Sequence, residues 1–83
     1  MLELQGTIEE IVQENNNGHD KMVVTLQAGR NNKVFIEFQG KYRKLLDGYS
    51  EGQRVEIRVR FNGKVSKLGR RYNNIIAKSI QHI

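Results

Sequence analysis

From Arg54 to Phe61 charged and apolar residues alternate without exception, R-V-E-I-R-V-R-F. A period of two belongs to a strand with one face in a core and the other in water. The register predicts Val55, Ile57, Val59 and Phe61 inward, with Arg54, Arg58 and Arg60 outward around Glu56. Alternation stops at Asn62, and Asn62 to Arg71 reads as a glycine-marked loop carrying Lys64, Lys67, Arg70 and Arg71. Upstream, Leu2, Leu4, Gly6 and Ile8 alternate with Glu3, Gln5, Thr7 and Glu9, and the phase slips at Glu10 before Ile11 and Val12. Such a slip predicts a first strand bent at a bulge. The turn cluster Asn15 to Asp20 and the β-branched run Met22 to Leu26 complete a hairpin. After a turn at Ala28 to Asn32, Val34, Ile36 and Phe38 point inward, while Lys33, Phe35, Glu37 and Gln39 point outward, in a third strand ending at Gly40. Tyr42, Leu45, Leu46 and Tyr49 then fall at helical spacing, with Gly48 placed for a left-handed cap. Tyr72 to Ile83 supplies the last strand, although the adjacent Ile75 and Ile76 leave its facing open.

Three strands, a short helix and two strands make an all-β chain in the order of the five-stranded Greek-key barrel called the OB-fold. The open face of that barrel, around strands two and three and between the one-two and four-five loops, takes oligonucleotides or oligosaccharides. An SH3-like barrel or an open sheet with a helical turn is the alternative. A chain of 83 residues makes one domain, 1–83, and buries only about 60% of its unfolded surface. The absence of cysteine excludes disulfides and thiolate-held zinc, and suits a reducing cytoplasm. No apolar run approaches the roughly 18 residues of a membrane span. The first residues, M-L-E-L-Q-G-T, lack the basic and apolar regions of a signal peptide. A cytoplasmic protein with no membrane partner is expected.

The net charge of +5 is unevenly spread. Residues 1–40 hold three basic and six acidic side chains, residues 41–72 ten basic and three acidic ones. Concentrated on one strand and the loop after it, the cations predict a groove for a polyanion, most readily a nucleic acid.

From Gly40 onward the chain resembles the bacterial single-stranded-DNA-binding proteins. Gly40-Lys41 before Leu45-Leu46, Glu51-Gly52-Gln53-Arg54-Val55-Glu56-Ile57, and Arg71-Tyr72-Asn73-Asn74-Ile75-Ile76-Ala77 are similar to that family's glycine-lysine and helix, its fourth strand and its last strand. Weaker similarity runs through Gly6-Thr7-Ile8 and Val34 to Phe38. The resemblance implies an OB-fold, single-stranded DNA favoured over RNA as ligand, a homo-oligomer, and work in DNA replication or repair. It departs where that family stacks bases on third-strand aromatics: the matching positions fall near Lys33 and Gln39, there is no tryptophan, and the sequence ends at His82-Ile83 without an acidic recruiting tail.

The candidate binding residues are therefore Lys33, Phe35, Arg54, Arg58, Arg60, Lys64, Lys67, Arg70, Arg71 and Tyr72. Phe35 and Tyr72 are the candidates for stacking bases, a contact worth about 1–3 kcal/mol whatever the base. Lysines and arginines in a loop suit phosphates rather than base edges. Tyr42 and Tyr49 fit the junction of helix and barrel. His19 and His82 have no companions for metal binding or acid/base work, and no serine has a histidine near it in sequence. No catalysis and no cofactor are expected. A protein-interaction module using Phe35 and the strand edges, and an RNA binder, stay open as alternatives.

Overall fold

The structure is a computed structural model describing the backbone of residues 1–83 and every side chain except that of Asn16. Five strands form one closed sheet: β1 (Leu2–Asn16), β2 (His19–Gln27), β3 (Lys33–Gln39), β4 (Arg54–Val65) and β5 (Arg71–His82). A single 3-10 turn, Gly40–Leu46, follows β3. The sheet order is β1-β2-β3-β5-β4, closing back on β1. All neighbours are antiparallel except β3 and β5, which meet through one parallel bridge, Glu37 to Ile76.

β1 serves both sides of this closure. Residues 2–7 pair with β4, and residues 7–16 with β2, with the expected register shift between Ile8 and Glu10. Inserting one residue there bends the strand so that its two halves reach different partners. At Gly6 the first half crosses the end of β2 closely enough that a Cβ would meet the Gln27 carbonyl and the Leu26 side chain. At the tip of the β1–β2 hairpin, Asn17 and Gly18 both take left-handed conformations (φ 54° and 79°), as a tight two-residue hairpin turn requires.

The core comes from the inward positions read from the alternation. Ile8, Val24, Leu26, Ile36, Phe38, Val55, Ile57, Val59 and Ala77 are buried, and Leu46 of the 3-10 turn covers one end. Gly48 has the left-handed backbone expected of it, and the Tyr49 amide donates to the Leu46 carbonyl at 3.0 Å. Tyr42 and Tyr49 are half-buried beside the turn. The ring of Tyr49 stacks on His82 at 4.5 Å, and its hydroxyl donates to the Ile80 carbonyl at 3.4 Å.

Two expectations for the second half are corrected. The stretch after Phe61 is not a ten-residue loop: β4 continues to Val65 and β5 begins at Arg71, leaving only Ser66 to Arg70 as the turn. Within that turn the Gly69 amide donates to the Ser66 carbonyl at 2.9 Å, and the Arg70 amide to the Ser66 hydroxyl at 3.1 Å. Phe61 is 49% exposed rather than a core residue. Its parity is inward, but β1 begins opposite Val59, so from Arg60 outward β4 has no β1 beside it and runs on with β5 as a two-stranded arm, in which Ile75, opposite Phe61, still packs against the edge of the core. A register shift between Arg58 and Val59 leaves Lys78 without a partner on β4, and beyond it the isoleucine pair alternates regularly: Ala77 packs inward opposite Val59, Ile75 lies half-buried on the same side, and Ile76, on the outer face, is buried where β5 meets β3. No helix is long and apolar enough to cross a membrane among the described residues.

Candidate nucleic-acid interface

An open groove of about 940 Å3 runs over the seam where β3 meets β5. One wall is the β1–β2 hairpin tip, Asn17 to Lys21; the other is the outer face of the β4–β5 arm, with Arg60, Lys64, Tyr72 and Asn74. Lys41, Tyr42 and Arg43 from the 3-10 turn and Lys78 of β5 close one end, and Ile76, 4% exposed, lies at the floor.

Six cations face this space against two carboxylates, Asp20 and Glu37. Lys21 reaches Glu37 at 3.2 Å and Arg43 reaches Asp20 at 3.9 Å. The Gln39 amide also donates to Glu37, at 2.9 Å. Among the described residues, Lys41, Arg60, Lys64 and Lys78 have no carboxylate partner. Lys41 and Lys78 lie over the Tyr42 ring, 5.5 and 4.6 Å from its centroid, so that ring already holds cations on its faces. Tyr72, 46% exposed, is the aromatic left open to the groove.

The sequence candidates divide accordingly. Arg60, Lys64 and Tyr72 meet in the groove. Lys67 and Arg70 sit in the exposed turn at the arm tip, and Arg71, opposite Val65, is on the arm's far face. Lys33 pairs with Glu9 at 3.1 Å. Phe35 is outward and 59% exposed but outside the groove, opposite Thr25 of β2. Arg54 and Arg58 do not join Arg60. The closed sheet curves that end of β4 against β1, where Arg58 lies 3.8 Å from Glu3. Glu56 accepts from Gln5 at 3.2 Å and from Gln81 at 2.6 Å. These hydrogen bonds, that of Gln5 foremost, hold its carboxyl below the usual carboxylate range.

Sequence reasoning missed Lys21, Lys41, Arg43, Asn74 and Lys78 as groove residues. The run Gly40-Lys41-Tyr42-Arg43-Lys44 was the available signal; it was legible as a helix but not as one end of a groove, because its neighbour across the gap, Lys78, is distant in sequence. Among the described residues no cluster of three metal-ligating side chains exists. No protein-family model matches the sequence, and a search of curated proteins returns no significant match.

Proposed function

We propose that this chain is an OB-fold domain that binds single-stranded DNA, largely whatever its sequence and without performing chemistry on it, its groove taking phosphates on lysine and arginine and one base on Tyr72. The observation that carries the reading is the meeting of four cations free of carboxylates with an exposed tyrosine along one open channel. The sheet order, with the channel between the β1–β2 turn and the β4–β5 arm, supports the OB-fold assignment. The sequence resemblance favours DNA over RNA.

Roughly four phosphate contacts on a single strand give a slope of about −3 for log affinity against log salt. Fluorescence anisotropy with labelled oligo-dT across a salt series measures it. A flat response, or no binding at the lowest salt, rejects the proposal.

Assembly from several copies is the second reading, favoured by the exposure of Phe35 outside the groove. The two roles separate by variant. Tyr72→Ala is expected to weaken oligo-dT binding about ten-fold, within the range for a lost stacking contact. Phe35→Ala is expected to leave that affinity nearly unchanged while lowering the solution mass seen by light scattering. Equal losses of DNA affinity in both variants contradict this division of labour.

A further inference from the structure

The outer face of the β4–β5 arm is ordered in rows. Arg60 is opposite Ile76, Asn62 opposite Asn74, and Lys64 opposite Tyr72. Directly opposed residues project to the same side of a sheet, and alternate residues repeat about every 6.8 Å along a strand. Down β4 the face therefore reads cation, amide, cation; down β5 it reads apolar, amide, aromatic. A single strand whose phosphates follow Arg60 and Lys64 finds the groove's open aromatic ring, Tyr72, on the β5 side, with the buried Ile76 beneath it at the floor. Such a path would set phosphates along one strand of the arm and bases along the other.

The middle row is unlike a merely structural hairpin. Asparagine is disfavoured in strands, yet Asn62, Asn73 and Asn74 lie within the paired part of this arm. Asn62 and Asn74 are half-buried, and among the described residues neither carboxamide has a protein hydrogen-bond partner. Asn74 faces the groove beside the open Tyr72 ring. Its carboxamide offers one donor and one acceptor side by side, which matches the N7 acceptor and N6 donor of adenine. Guanine presents two acceptors on that edge, and the pyrimidines lack it. In a splayed single strand this edge is free.

We infer that Asn74 reads the base one row inward from the one stacked on Tyr72, and that it selects adenine. This rests on the single-strand reading given above and removes its sequence tolerance at one position.

The test uses short oligo-dT in which one interior residue is replaced by dA, dC, dG or 7-deaza-dA, with affinities from anisotropy at one salt concentration. The dA oligomer is expected to bind about five-fold more tightly than the others, the lower end of the discrimination from an amide–adenine pair. The 7-deaza base, lacking the N7 acceptor, loses that advantage. Asn74→Ala and Asn74→Asp are each expected to bring dA level with dC and dG, and Asn74→Ala leaves the salt slope for all-dT unchanged. If either variant fails to fold, the 7-deaza comparison with the unaltered protein still decides. Equal affinity for every interior base overturns the assignment of Asn74 while single-strand binding stands; no binding of any oligomer at low salt overturns both.

Discussion

Gly6→Ala is expected to lower stability by about 3 kcal/mol, the upper part of the usual range for forcing a methyl into a filled site, and the thermal midpoint by roughly 12–24 °C for a domain this small. The added Cβ would meet backbone, the Gln27 carbonyl, together with the Leu26 side chain. Backbone cannot step aside as a rotamer does, and this backbone belongs to the end of β2 where β1 changes partners from β4 to β2. Relief requires opening the closure of the sheet. Gly63→Ala is the control. Its Cβ would meet only the Asn73 side-chain oxygen, at 3.2 Å, so its midpoint should stay within a few degrees of the parent, about the effect of less than 1 kcal/mol. Equal shifts in a melting experiment on the two variants would show that Gly6 has no special place in closing the sheet.

Removing two groove cations together, Arg60→Ala with Lys64→Ala, is expected to flatten the salt slope by about 1.4 and weaken single-strand binding roughly 25-fold at 0.1 M salt, taking about 0.7 of slope for each phosphate contact. The comparison that gives this number meaning is Arg54→Ala with Arg58→Ala. That pair removes the same charge from the same strand, but from the end that lies against β1, where Arg58 is already near Glu3. A long-range attraction between a basic protein and DNA depends on total charge and would fall equally in both double variants. Local phosphate contact predicts a loss of less than about two-fold for the second pair. Anisotropy titrations of the two double variants side by side distinguish these cases, and equal losses would remove the groove from the account.

The sheet was legible in the sequence wherever alternation ran against a formed core. Val55, Ile57 and Val59, like Ile36 and Phe38, were read inward and are buried, since a period of two has one solution once one face must leave water. The bulge near Glu9 was legible for the same reason, as a break in phase. Reading failed where the strand outran the core. Phe61 kept its parity but lost its cover, a fact set by where β1 begins and invisible along β4 itself. The β4 half of the arm reads as loop in the sequence because Asn62 and Gly63 are poor strand residues; pairing to Asn74 and Asn73 of β5 keeps them extended. Arg54, Arg58 and Arg60 share one face of one strand, and sequence periodicity contains no curvature, so nothing in it separated the first two from the third. Tyr72 was found because it stands at the start of a strand beside arginines; Lys41 and Lys78 become neighbours around Tyr42 only once the chain is folded.

The parallel bridge between Glu37 and Ile76 gives this closed sheet a preferred place to unzip. Other strand neighbours share long ladders, so thermal openings should concentrate at this one join, as local unfolding does wherever few backbone bonds must break. The groove lies directly over it. A polymer lying there would act as a splint across the weakest line of the molecule, tying its own residence time to the lifetime of the fold, because anything that binds only the closed form also holds it closed.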